Sequence, residues 1–154
     1  MDYKELITSF GEKFGIEGLA GDEETNSLDI DGMTIEVFHK AEDATLFLCS
    51  VIGEPPAEGH ERFCTLLLQA NFLFRGTDGA TLSQNPDTKE YVLMRVLPLA
   101  LLDLDSFSAE LEKFVNGVES WKKMLAEFRP IMENAEESAQ AAQEPPLLGS
   151  FLQV

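Results

Sequence analysis

The pair of side chains best suited to chemistry is His60 and Cys64, which lie four residues apart in a segment with helical periodicity. Residues at i and i+4 share a face of a helix, so the two could bind a metal ion or form a thiolate and imidazole pair. Two ligands do not make a metal site, and His39 lies on a separate strand-like segment. The pattern therefore favours a buried Cys64 below an exposed His60, with no metal bound.

The clustered carboxylates are better explained by local structure than by acid and base catalysis. Asp103 and Asp105 stand where the last helix must begin, and a carboxylate there caps the helix and suits its dipole. Asp31-Gly32 is a strong hairpin-turn signal, and no bidentate Glu follows at the spacing of a calcium loop. With no phosphate-binding Gly-rich loop and no nucleophile elbow either, the sequence predicts no catalytic residues, no cofactor and no enzyme.

Charge narrows the possible partners. The 154 residues contain 28 Asp and Glu against 11 Lys and Arg, a formal net charge of -17, yet 44% are hydrophobic. Such a chain folds, but it repels nucleic acid and anionic membranes, and no apolar stretch is long enough to span a bilayer. The N-terminal residues do not resemble a secretory signal, which predicts a cytoplasmic protein. Cys49 and Cys64 are predicted to be buried thiols rather than a disulfide.

Hydrophobic periodicity and turn signals divide the chain into eight elements in the order α-β-β-β-α-β-β-α. The helices are predicted at Tyr3 to Phe14, Glu58 to Phe74 and from about Asp103 to Phe128, and the strands at Ser27 to Ile30, Met33 to His39, Ala44 to Ile52, Ala80 to Ser83 and Glu90 to Leu97. The strand from Ala44 to Ile52 is apolar on both sides, which predicts cover on both faces. The middle helix is apolar around much of its circumference, more than one core can cover.

Two sections are expected, a folded α+β domain at residues 1–130 and a flexible, acidic and Pro-containing tail at residues 131–154. The tail combines Glu, Ala, Gln and Ser with an apolar cluster from Leu147 to Leu152. One interpretation of the cluster is a frayed end. The other is a segment that docks on a client site of the same or a neighbouring molecule.

Several segments resemble the class I type III secretion chaperones, the family of the Tir chaperone, over about residues 1–128. The resemblance is carried by Phe10 to Gly15, Met33 to Val37, Leu66 to Phe72, and the hairpin from Ala80 to Met94, and it continues from Leu97 to Phe107. It implies a homodimer built on an antiparallel, twisted sheet of about five strands with three helices. It also implies a cytosolic chaperone that holds the N-terminal segment of a secreted effector in extended form, without ATP.

The resemblance also implies where partners bind. Client-binding residues are expected on the first helix and neighbouring strands, at Leu6, Phe10, Phe14, Ile35, Val37, Leu46 and Leu48, with strand addition at an open sheet edge. The partner subunit is expected to contact the middle helix, at Phe63, Leu66, Leu67, Ala70, Asn71 and Phe74. A stripe of Phe at helical spacing is equally typical of a core. The alternative function is a dimeric adaptor or regulator of folded partners, and a small enzyme ranks third.

Overall fold

Three helices and five strands form the fold in a computed structural model that describes residues 1–19, 21 and 24–130. In chain order the elements are α1 (Tyr3–Phe14), β1 (Thr25–Ile30), β2 (Met33–Lys40), β3 (Thr45–Gly53), α2 (His60–Asn71), β4 (Thr81–Gln84), β5 (Tyr91–Pro98) and α3 (Leu104–Glu127). Short 3-10 turns lie at Ala41–Asp43, Phe72–Phe74 and Leu99–Leu101. The predicted order of elements and the α+β class are confirmed.

The strands form one antiparallel sheet in the order β1-β2-β3-β5-β4. The β1–β2 turn adopts positive φ angles at Asp31 (51°) and Gly32 (75°), as a tight two-residue hairpin requires. The Asp29 carboxylate accepts a hydrogen bond from the Gly32 backbone N–H at 3.2 Å. These contacts confirm the predicted turn and fix the register in which Ile30 pairs with Met33.

One face of the sheet is covered by α1 and α3, and the core lies between them. Successive strand residues point to opposite faces, so β3 sends Leu46, Leu48 and Ile52 into the core. The other face carries apolar side chains that remain partly exposed. It includes Phe38 and Val51, which remain 40% and 39% exposed, and Val96 at 53%. The prediction that β3 is covered on both faces is therefore wrong for the single chain.

Capping residues set where the outer helices begin. The Asp2 carboxylate accepts a hydrogen bond from the Glu5 N–H at 2.8 Å at the start of α1. At the start of α3, the Asp103 carboxylate accepts from the Ser106 N–H at 2.8 Å while the Ser106 hydroxyl accepts from the Asp103 N–H. This reciprocal pair is a capping box, which confirms the predicted capping role of Asp103.

α3 ends at Glu127, and the tail predicted at residues 131–154 lies outside the described residues. The division of the chain at residue 130 stays a prediction. Across residues 1–19, 21 and 24–130, no helix combines the length and the apolar character needed to cross a membrane.

Candidate functional site

A groove of about 700 Å³ lies between the C-terminal half of α1, the β1–β2 turn and the N-terminal half of α3. We call it the α1–α3 groove. Its apolar lining comes from all three elements: Phe10, Phe14, Ile16, Ile30, Leu111 and Val115. The ring of Phe10 contacts two other rings, Phe14 at 4.7 Å and Phe107 at 5.1 Å between ring centroids. The groove is therefore a packed apolar surface that opens directly from the core.

Carboxylates border this groove. Asp31, Asp105 and Glu112 contribute to its lining, and all three residues are exposed. The Lys13 ammonium lies 2.9 Å from the Asp105 carboxylate and 5.5 Å from the centre of the Phe14 ring. Apolar contacts can thus be made inside the groove while its edge carries negative charge.

The predicted client-binding residues separate into two groups. Phe10 and Phe14 line the groove, and Phe14 keeps 53% of its side chain exposed. Five others are fully buried in the core: Leu6, Ile35, Val37, Leu46 and Leu48. A client cannot contact these five without opening the core, because they lie on the sheet face that α1 and α3 cover or on the buried side of α1. We assign them to the core.

The predicted dimer residues on α2 also separate. Phe63 and Leu67 are buried, and the Phe63 ring packs against Phe128 with centroids 4.9 Å apart. Asn71 is half-buried, and its side-chain amide forms two hydrogen bonds of 2.9 Å with the backbone N–H and C=O of Leu82. This amide covers one step of the outer edge of β4. Ala70 is half-buried and packs closely against Gly76. A Cβ atom added at Gly76 would lie only 2.7 Å from the Ala70 Cβ.

Leu66 and Phe74 remain exposed, together with neighbours that complete an apolar surface on and after α2. We call the set Leu66, Leu68, Phe72, Leu73 and Phe74 the α2 surface. Two of its members, Leu73 (φ 53°) and Phe74 (φ 55°), have left-handed backbone conformations that are costly for residues with a Cβ. A strained loop that exposes its apolar side chains is typical of a binding surface rather than of a core.

Side chains from β5 and α3 hold the loop that follows the α2 surface. The Trp121 indole N–H donates to the Gly76 carbonyl at 3.1 Å. The Arg95 guanidinium donates to the Asp78 carbonyl and forms an ion pair with Glu110, and both of these side chains are largely buried. These contacts hold the loop just after the left-handed residues Leu73 and Phe74.

His60 and Cys64 do share a face of α2, and they meet Tyr91 of β5. The Cys64 Sγ lies 3.6 Å from the His60 Nε2 and 3.3 Å from the Tyr91 hydroxyl, which lies 3.1 Å from the His60 Nδ1. Burial, and then the contact with Cys64, raise the pKa of the Tyr91 hydroxyl well above its ordinary value. Cys64 is half-buried rather than buried, and the described part of the chain holds no group of three His, Cys, Asp or Glu side chains placed to bind a metal.

A family comparison decides the relationship that the fold suggests. The model of the Tir chaperone protein (CesT) family matches residues 5–122, from α1 into α3. The chain belongs to the CesT family. The family match thus includes every element of the fold, the α1–α3 groove and the α2 surface. No curated protein sequence matches this CesT-family chain.

Solved structures share the fold of this CesT-family chain. The ExsC–ExsE complex aligns with a TM-score of 0.70 and 23% identity, covering 86% of this chain and 100% of that chain. The HopA1–SchA chaperone–effector complex aligns at 0.65 and 19%, covering 79% and 93%. The heterodimeric ExoU–SpcU complex, from the type III secretion system of Pseudomonas aeruginosa, aligns at 0.63 and 17%, covering 77% and 97%. At these identities the likeness establishes the fold, and it agrees with the predicted resemblance.

Proposed function

We propose that this protein is a cytosolic type III secretion chaperone. It binds the N-terminal segment of a secreted effector in extended form and keeps that segment competent for secretion without hydrolysing ATP. The α1–α3 groove is the observation that carries the proposal, because an apolar groove that is open in the folded chain can hold the apolar side chains of an unfolded segment. Membership of the CesT family and similarity to a chaperone–effector complex support it.

The sheet offers the client a second kind of contact. β1 is an edge strand whose only strand partner among the described residues is β2, whereas the Asn71 side chain occupies the outer edge of β4 at Leu82. An extended segment can add to an open edge through backbone hydrogen bonds, which tolerate varied client sequences. We therefore place strand addition at β1, next to the end of the groove formed by Ile30.

We further propose that the protein is a homodimer that pairs through the α2 surface. Leu68, Phe72 and Leu73 each expose more than half of a large apolar side chain. Contiguous apolar exposure of this kind marks interaction sites on soluble proteins. In a dimer with twofold symmetry the same surface is used by both copies, so a self-complementary apolar surface is sufficient.

The test is capture of partners by the tagged chain in its native host, compared with two single variants. Phe14→Asp places a charge in the groove, and Leu101→Asp places the same charge on a residue that is 76% exposed outside the groove. We expect the original chain and Leu101→Asp to retain secreted proteins that are protected from limited proteolysis over an N-terminal segment, and Phe14→Asp to lose them. Capture of folded cytosolic proteins alone, or equal capture by both variants, would overturn the proposal.

A further inference from the structure

The charged side chains that line the α1–α3 groove are all acidic. Asp31 belongs to the β1–β2 turn, while Asp105 and Glu112 lie on α3, so three carboxylates approach the groove from two elements. Among the described residues no Lys or Arg lines the groove. Lys13 is paired with Asp105, and none of the ion pairs between described residues involves Asp31 or Glu112.

The size of the groove limits what can enter it. About 700 Å³ is within the range of roughly 300–1,000 Å³ that is typical of ligand sites. It can receive a few side chains of a peptide, but it is too small to receive the surface of a folded domain. The apolar lining selects for large hydrophobic side chains, and the carboxylates act on whatever charges flank them.

We propose that the client segment bound in the α1–α3 groove is amphipathic and basic, with large apolar side chains interleaved with Lys or Arg. This inference depends on the proposed chaperone function and specifies the chemistry of the client. Apolar side chains pack on Phe14, Ile30 and Val115, while the flanking cations lie beside the carboxylates at the edge. The same carboxylates reject an acidic segment, because like charges brought together at an interface weaken binding.

Charge rejection also separates a client from this protein's own C-terminal sequence. Residues 131–154 contain Glu133, Glu136, Glu137 and Glu144 and no Lys or Arg. The apolar cluster from Leu147 to Leu152 therefore follows an acidic stretch, which the carboxylates at the edge of the groove repel. A basic client segment is the better match to this groove.

Two synthetic peptides test the proposal on the full chain. They share the same spacing of Leu and Phe, but one carries Lys between the apolar residues and the other carries Glu. We expect the Lys peptide to bind at least about tenfold more tightly at low salt, with the difference shrinking as salt screens the charges. Equal affinity for the two peptides, or no binding of the Lys peptide, would overturn the inference.

Because the whole chain is acidic, its overall negative charge could also attract a basic peptide. Matched variants distinguish that long-range attraction from the effect of the carboxylates in the groove. One variant combines Asp31→Asn, Asp105→Asn and Glu112→Gln. The control combines Glu42→Gln, Glu61→Gln and Asp87→Asn, three exposed residues that do not line the groove. Both remove three negative charges, so the net charge is the same.

We expect the groove variant to weaken binding of the Lys peptide by about 3- to 100-fold, since each of the three exposed ion pairs changes an equilibrium by roughly 1.5- to 5-fold. The control should weaken it by about twofold or less. An equal loss of affinity in the groove variant and the control would show that the overall negative charge attracts the peptide, and it would refute a specific role for the groove carboxylates. If a native client is captured but has no basic residues in the protected segment, the chaperone function stands and this inference fails.

Discussion

Substitution of Leu73 by Asn should weaken the proposed dimer without destabilising the protomer. The Leu73 backbone is left-handed (φ 53°), and its side chain is 69% exposed. A left-handed conformation costs an ordinary L-residue about 1–2 kcal/mol, and Asn tolerates it better than Leu does. Leu73→Asn is therefore expected to leave the free energy of unfolding of the protomer unchanged, or to raise it by up to about 1 kcal/mol.

The same substitution should weaken the proposed dimer. Complete burial of a Leu side chain contributes about 1.5–3 kcal/mol. Since 69% of Leu73 is still open to solvent, its burial by a partner is worth about 1–2 kcal/mol per protomer. Twofold symmetry doubles this effect to about 2–4 kcal/mol, so the dimer Kd should rise by about 30- to 1,000-fold.

Sedimentation equilibrium measures the Kd, and urea unfolding at concentrations below the Kd measures the stability of the protomer. The matched control is Leu101→Asn, since Leu101 is 76% exposed but lies outside the α2 surface, after β5. The control should leave the Kd unchanged. A chain that is monomeric without any substitution would refute the dimer. An unchanged Kd in Leu73→Asn, or an equal change in both variants, would refute the role of the α2 surface.

Three further substitutions or measurements probe single contacts. Asn71→Leu leaves the N–H and C=O of Leu82 without their 2.9 Å partners, so urea unfolding should show a loss of about 1–3 kcal/mol; a change below about 0.5 kcal/mol would contradict this. Hydrogen bonds from Ser106 lower the pKa of Asp103 below its ordinary 3.8. The charged carboxylate therefore stabilises the fold above about pH 3.8, and this stabilisation is lost as the pH falls through the lowered pKa. The Tm of Asp103→Asn should fall less steeply with acidification than the Tm of the original chain, and parallel curves of Tm against pH would argue against this role. Burial, and then the Glu36 carboxylate, raise the pKa of the Cys49 thiol, so iodoacetamide should alkylate it more slowly near pH 9 than in the urea-unfolded chain, and equal rates would disagree.

The order of elements could be predicted because several boundaries carry a local signal. Gly15 ends α1 in the left-handed conformation that Gly favours, and Asp31-Gly32 turns the first hairpin. Asp103 begins α3 with a side chain that caps its N-terminus. Signals of this kind depend on a few neighbouring residues, so they can be identified without knowledge of the tertiary structure.

The faces of the sheet could not be assigned from sequence. β3 is apolar at consecutive positions, so alternation does not distinguish Leu48, which is buried, from Phe47 and Val51, which point to the open face. A shift of one residue exchanges the two faces. For this reason Leu46 and Leu48 of β3 were predicted to bind a client although they lie in the core. The groove residues Ile16 and Ile30 were missed because each lies at the end of an element, where tertiary contacts set the orientation.

The end of α2 was predicted as helix, because Phe72, Leu73 and Phe74 continue its apolar composition. Instead the α-helix ends at Asn71, where the side chain bonds to β4, and the next residues turn through left-handed conformations. Both the strand partner and the contacts of Trp121 and Arg95 are distant in sequence. Only the apolar excess, which one core could not cover, pointed to an exposed surface here.

The α1–α3 groove and the α2 surface also differ in how many copies of the chain are needed to form or cover them. Residues of a single protomer form the α1–α3 groove, whereas no other described residue of the protomer covers the α2 surface, which a second copy would cover in the proposed dimer. A dimer would therefore present two equivalent grooves, each held by its own α3 through Leu111 and Val115. An unfolded client that is long enough to reach both grooves gains from the second contact, because it occurs at high effective concentration. Modest affinity at each groove is then compatible with stable capture of the client and with its release when secretion removes one of the two segments.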